Sequence, residues 1–228
     1  MNAQTTAVRG FSQLMRERYS CRSFLPQSVP RATQLDILGL AQRTASWCNS
    51  QPWQVYITEG AATERFRVAM LEPAKAGEPG PDFDWPREYL GVYRDRRLEC
   101  GLALYNSVGI ERGDREASAR QGRENYRLFG APHVAIITSD EALGTYGAID
   151  CGGYVANFLA AAANFGIATI SQAALAARPQ RVRDFFGLPD DRLVVCGISF
   201  GYSDTAHPAN GFRTTRAETN VVTSWASC

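Results

Sequence analysis

The run from Tyr146 to Phe165 places the tightest limit on how this chain can fold. It has an alanine-rich helical pattern and is apolar nearly all round. A helix with no polar face cannot lie on a wet surface, so it must be enclosed in a core or lie across an interface between two chains. Short apolar runs supply the strands to pack beside it: Val55–Thr58 after Pro52, Val134–Thr138 after Pro132, Gly166–Ile170, and Leu193–Phe200. The continuous Val134–Thr138 run reads as a central strand. Strands alternating with helices give an α+β or an α/β sandwich, and pattern alone leaves that choice open.

The remaining helices are read from spacing. Phe11, Leu14, Met15 and Arg18 share a face of a first helix, which would deliver Arg18 and Ser20 from its C-terminal end. Thr33 reads as the cap of a second helix carrying Leu35, Ile37, Leu38 and Ala41. Further helices are predicted over Ala62–Leu71, over Arg94–Val108 with Leu98, Leu102 and Tyr105 inward, over Arg115–Leu128, and over Pro179–Phe186, closed by Gly187. Between Glu72 and Pro86, prolines and glycines surround Phe83 and Trp85, which suits a long loop or lid better than a regular element. The tail beyond Gly201 is polar and irregular but ends in Val221, Val222 and Trp225, so it is expected to pack on a partner subunit.

Composition excludes several classes of function. A chain of 228 residues with 45% hydrophobic content builds one domain, residues 1–228. A net charge of +1 gives no long-range field for nucleic acid or an anionic membrane. Met1 to Gly10 lacks the apolar run of a signal peptide and no run is long enough to span a bilayer, so a soluble cytoplasmic protein is expected. The cysteines, at 21, 48, 100, 151, 196 and 228, form no Cys-x-x-Cys pair and read as reduced thiols. His133 and His207 are too few for a multi-histidine metal site, so no metal is expected.

Two stretches carry the chemistry. Arg18-Tyr19-Ser20-Cys21-Arg22-Ser23-Phe24 sets two guanidinium groups about a hydroxyl at the join between two predicted helices, a grouping sized for a phosphate. On those residues alone, a solvated basic turn is the competing reading. Thr44-Ala45-Ser46-Trp47-Cys48-Asn49-Ser50-Gln51-Pro52-Trp53 combines hydroxyls, amides and tryptophans able to hydrogen-bond a flat polar ring. With Phe129-Gly130-Ala131-Pro132-His133, Ile149-Asp150-Cys151-Gly152-Gly153-Tyr154 leading to Gly166-Ile167-Ala168-Thr169, Phe186-Gly187-Leu188-Pro189 and the Arg213–Arg216 tail, the sequence resembles the FMN-dependent nitroreductase family from about Phe11 to Arg216.

That resemblance implies an α+β sandwich with a mainly antiparallel sheet flanked by helices. It also implies a C-terminal tail, 203–228, exchanged with the partner to add a fifth strand, and a homodimer with two FMN sites at the interface. It assigns Arg18, Tyr19, Ser20 and Arg22, completed by Arg213 and Arg216, to the FMN phosphate. Ala45, Ser46, Trp47 and Asn49 would approach the flavin ring from the other subunit. Ser171, Gln172 and Ala173 would line its edge, and Asn125 and Arg127 its pyrimidine end. Trp47, Phe83 and Trp85, the last two on a lid insertion over 72–93, are the substrate-side candidates. The implied activity is NADPH- or NADH-dependent reduction of a small nitroaromatic acceptor by a ping-pong hydride mechanism, with no catalytic side chain because the chemistry sits on FMN. The sequence departs from the best-known members at Ala45, at Ala173 and Ala174, and at Thr214.

Other readings stay open at this stage. A quinone reductase, a flavin reductase or a reductive dehalogenase would use the same fold, and a flavin-binding protein without turnover would share the cofactor residues. Gly197-Ile198-Ser199-Phe200-Gly201 matches the nucleophile motif of serine hydrolases, with Asp204 and His207 behind it. That motif needs a helix immediately after the serine, and the sequence there reads as a loop. Neither a Gly-x-Gly-x-x-Gly fingerprint nor a P-loop occurs, so a nicotinamide would have to bind without a dinucleotide fold.

Overall fold

A computed structural model describes residues 10–74 and 76–226. The apolar runs form β1 (Gln54–Thr58), β2 (His133–Asp140), β3 (Ala168–Gln172) and β4 (Arg192–Gly201), in the order β1-β2-β4-β3 with each neighbouring pair antiparallel. β2 is central because both of its faces are apolar, and the alternation of a strand divides its side chains between two cores. Val134 and Ile136 join Phe66, Met70, Leu128 and Leu175 on one side of the sheet. Ala135 and Ile137 join Trp53, Tyr154, Phe158 and Phe200 on the other.

The helices are α1 (Phe11–Glu17), α2 (Arg31–Ala41), α3 (Ala61–Leu71), α4 (Gly91–Ser107), α5 (Arg115–Arg123), α6 (Gly144–Asn164), α7 (Pro179–Phe186) and a single turn, α8 (Thr219–Val222). α2 and α6 cover one face of the sheet, α3 and α7 the other, which makes an α+β sandwich. The all-apolar helix α6 buries Cys151, Tyr154, Phe158 and Ala162 against the sheet, while Tyr146, Ile149 and Gly152 on its other side stay open in the single chain.

Several predicted details shift. α2 starts at Arg31 with Pro30 as its cap, so Thr33 lies inside the helix, and Gln34 reaches back to donate to the Val29 carbonyl at 2.9 Å. α5 stops at Arg123 rather than Leu128, because Leu128 and Phe129 take left-handed backbone angles (φ 58° and 51°) that drive both side chains into the core. β3 begins at Ala168 because Gly166, at φ 72°, turns the chain out of α6 and into the strand. α4 has no buried residue; Leu98 and Leu102, predicted to face inward, are exposed, as are Phe11 and Met15 on α1.

The Glu72–Pro86 segment has no regular structure, yet much of it is fastened down. Arg181 on α7 donates to the carbonyls of Ala69, Glu72 and Pro73 and pairs with Glu78 at 2.7 Å. Arg183, two residues further on, pairs with Asp82 at 2.8 Å, and Asp82 in turn accepts from the Val194 amide of β4. These carboxylates neutralise two arginines that are nine-tenths buried.

Candidate functional site

The segment Arg18–Phe24 leaves α1 in an extended path along the free edge of β3. Ser20 bridges Thr169, the Cys21 amide donates to the Thr169 carbonyl at 2.9 Å, and Phe24 bridges Ser203. This edge position turns the arginine side chains outward while Cys21 and Phe24 are buried. The tail beyond β4 folds back over the same segment. Tyr19 and Ser203 share a hydroxyl hydrogen bond of 2.7 Å, and the Asn210 side chain accepts from the Arg22 amide at 2.7 Å.

These two pieces of chain, with Cys100 of α4, enclose a cleft of about 370 Å³ lined by Arg18, Tyr19, Ser20, Arg22, Arg213 and Arg216. Burial and the neighbouring Arg216 charge lower the pKa of Arg18, and burial lowers that of Arg22. Arg213 lies over the Tyr19 ring at 3.8 Å and Arg22 over Phe212 at 5.4 Å, so ring faces hold the guanidinium groups. Among the described residues, none of these arginines forms an ion pair with a carboxylate. Cations gathered beside a hydroxyl in a part-buried cleft are able to hold an anion, and the forked donors of arginine match a phosphate monoester. A larger cavity of about 590 Å³, lined by Gln121, Glu124 and Phe129, meets this cleft at Arg22.

A second predicted group lies further along β3. Gln172, three residues beyond Thr169, is about 10 Å along the strand at roughly 3.3 Å per residue. Its amide donates to the Asn125 carbonyl at 2.9 Å and accepts from the Ser199 hydroxyl at 2.5 Å. Ser171 and Ala173 on either side of it are exposed, and Arg127 pairs with Glu124 at 3.2 Å. Gly197, which pairs with Gln172, keeps this end of the sheet open to the following turn, because a Cβ there would strike Leu175.

The third group, Ala45, Ser46, Trp47 and Asn49, is elsewhere. Its loop is pinned by the Trp47 amide donating to Asp150 at 3.1 Å and by Trp47 standing edge-on to Tyr146 at 4.4 Å. Cys48, Asn49 and Gln51 all have positive φ, a strained path for residues with side chains. The loop sits near the N-terminal end of α6, whereas Arg18 and Ala163 line a shared cavity at its C-terminal end. From Asp150 to Ala163 the helix rises about 20 Å at 1.5 Å per residue. None of the four residues lines the arginine cleft of its own chain. Phe83 is half-buried and Trp85 is 45% exposed, and neither lines the arginine cleft of its own chain.

Ser199 is not a nucleophile. It is fully buried inside β4, its hydroxyl is committed to Gln172, and two strand residues follow it in place of a helix. His207 uses Nδ1 to cap a turn, accepting from the Ala209 amide, and His133 is buried against Phe200. Sequence reasoning did not single out Asn210 or Cys100. An Asn-Gly pair in a polar tail reads only as a turn, and a cysteine within a helix reads as packing.

The model of the family described as "Nitroreductase family" matches residues 15–202, which span the sheet, α6 and the arginine segment. This chain belongs to the nitroreductase family. Among its curated relatives, a 4-nitrobenzoate reductase from Nocardioides sp. (strain LMS-CY) is 33% identical, the match covering 92% of this chain and 87% of that protein. The nitroreductase NfnB of Mycolicibacterium smegmatis is also 33% identical, covering 94% of this chain and 92% of that one. Among solved structures, the FMN-dependent nitroreductase NfnB from Mycobacterium smegmatis in complex with NADPH superposes with a TM-score of 0.89, covering 95% of this chain and 97% of that chain at 33% identity. The FMN and NADPH-dependent nitroreductase NfnB from sphigopyxis sp. strain HMH gives 0.90 at 28% identity, covering 96% of this chain and 100% of that chain.

Proposed function

We propose that this nitroreductase-family chain is an FMN-dependent oxidoreductase that takes reducing equivalents from NADPH or NADH and delivers them to a nitroaromatic acceptor. The observation that carries this reading is the cleft of arginines on the edge of β3, none of which pairs with a carboxylate among the described residues. That donor set fits a phosphate monoester. FMN, when bound, supplies hydride acceptance and donation, so this reading asks no side chain to serve as nucleophile or general base.

The protein's own residues then act by holding and excluding. Arg18, Arg22, Arg213 and Arg216 bind the phosphate with the Ser20 hydroxyl, and Tyr19 supports Arg213 from below. The exposed backbone at Ser171 and Ala173, with Asn125 and Arg127, offers donors to the pyrimidine side of the ring. Ala45, Ser46, Trp47 and Asn49 come from a second copy of the chain, since none of them lines the arginine cleft of its own copy. The working unit is accordingly a homodimer. The exposed Leu98 and Leu102 of α4 and the Val221, Val222 and Trp225 of the tail supply apolar surface for it. Among the described residues no helix is long and apolar enough to cross a membrane, which accords with a cytoplasmic enzyme.

The test begins with colour. Purified protein is expected to be yellow, to bleach with NADPH under anaerobic conditions, and to recover its colour when 4-nitrobenzoate is added. A colourless protein that takes up no FMN defeats the proposal. A quinone or free flavin reduced faster than any nitroaromatic would move the chain to another branch of the family.

A further inference from the structure

We infer that Asn210 is a positioning residue that presets the arginine cleft for its anion. This rests on the phosphate of FMN as the occupant of that cleft. Asn210 is 95% buried, at 5% exposure, although it belongs to a polar tail with little core of its own. Its carboxamide is fully used. The Oδ1 atom accepts from the Arg22 amide at 2.7 Å, and Nδ2 donates to the carbonyls of Ser23 and Asp204, each at 2.9 Å, and to the Ser203 hydroxyl at 3.4 Å. The Asn210 main-chain carbonyl accepts from the Arg213 guanidinium at 2.9 Å.

The connections close into a ring. Asn210 holds Ser203, Ser203 holds the Tyr19 hydroxyl at 2.7 Å, the Tyr19 ring carries Arg213 at 3.8 Å, and Arg213 returns to Asn210. Asn210 thus links two arginines, its side chain holding the backbone of Arg22 on the β3 edge and, through Ser203 and Tyr19, steadying the ring under Arg213, whose guanidinium also meets the Asn210 main-chain carbonyl. Such a link is needed because the cleft gathers like charges. Arg18 is disfavoured as a cation both by burial and by Arg216, and no carboxylate among the described residues relieves these arginines. Without a fixed frame the tail would swing its arginines into solvent, and an arriving phosphate would have to order it. An amide suits the position because it satisfies an N–H and several oxygens without charge, whereas an aspartate would neutralise the arginines and compete with the ligand.

The test compares FMN with riboflavin, which lacks the phosphate, in the full-length parent, Asn210→Ala and Asn210→Ser. A positioning role requires FMN affinity to fall about tenfold or more in Asn210→Ala, while riboflavin affinity changes less than about twofold. Inorganic phosphate should also compete less well with FMN in the variant than in the parent. If both flavins weaken equally, or the apoprotein melting temperature falls while FMN keeps its preference over riboflavin, Asn210 merely fastens the tail and the inference is wrong. If Asn210→Ala does not fold, Asn210→Ser, which keeps one polar group, is judged by the same comparison. A parent that binds neither flavin overturns the flavin reading and this inference with it. A parent that prefers FMN beside a variant with unchanged affinity overturns the inference alone.

Discussion

Arg18 and His133 show how differently two buried charge-bearing residues can serve one chain. Arg18 is part-buried where burial and Arg216 both oppose its charge, an arrangement that an arriving anion relieves. Arg18→Ala should therefore cost roughly 1.5–3 kcal/mol of FMN affinity, about ten- to a hundredfold in Kd by fluorescence titration, and leave riboflavin unaffected. His133 has the opposite logic. Its ring is fixed as the neutral form, with Nε2 accepting from the Val29 amide at 3.0 Å and Nδ1 within 3.1 Å of the Thr58 carbonyl, and burial lowers its pKa. The folded pKa lies below the unfolded value of about 6.5, so the unfolded chain binds the proton first on acidification. The stability present above about pH 6.5 should be lost as pH falls below it. Urea denaturation of the parent and of His133→Gln between pH 5 and 8 checks this, the variant being expected to lose part of the acid slope.

Among the elements, α7 and the 72–93 insertion depend on each other. The ion pairs Arg181–Glu78 and Arg183–Asp82 have side chains no more than 13% exposed, so removing one carboxylate strands a buried guanidinium. Asp82→Ala is expected to cost about 3–5 kcal/mol, which for a chain of this size lowers the melting temperature by roughly 6–20 °C. An unchanged melting temperature would show that the insertion is held by other means. Past Asp82 the restraint loosens, and Trp85 is 45% exposed. If the outer part of the insertion closes over an acceptor ring, Trp85→Ala should raise KM for a bulky nitroaromatic without lowering stability or FMN content. Equal losses for a small quinone would assign Trp85 to packing instead.

For the whole molecule, the proposed dimer turns on α6. One of its faces is filled by the sheet, while Tyr146 and Ile149 on the other are 58% and 59% exposed in the single chain. The Trp47 loop does not line the arginine cleft of its own chain, which is why the proposed flavin site draws on a second copy. Deleting the chain from Pro208 onward removes Asn210, Arg213, Arg216 and the apolar Val221, Val222 and Trp225 together. Light scattering should then report dissociation of a dimer, with FMN released in parallel. A truncated monomer that keeps its flavin would separate assembly from cofactor binding and defeat the shared-interface reading.

The sequence by itself determined the elements and the chemistry of short stretches, because strand alternation, helical spacing and an arginine-serine-arginine cluster are local properties. It placed the strands to within a few residues and made α6 a helix in need of cover on every side. Only the tertiary structure decided where the polar side chains went. Ser199 turned inward to Gln172, Asp82 and Glu78 crossed from a loop to two arginines of α7, and Asn210 reached from the tail to the Arg22 amide. Each of these partners lies far away in sequence and leaves no periodic trace. The left-handed turns at Leu128 and Phe129 were hidden for the same reason: burying both side chains outweighs a local backbone preference that sequence reading counts residue by residue.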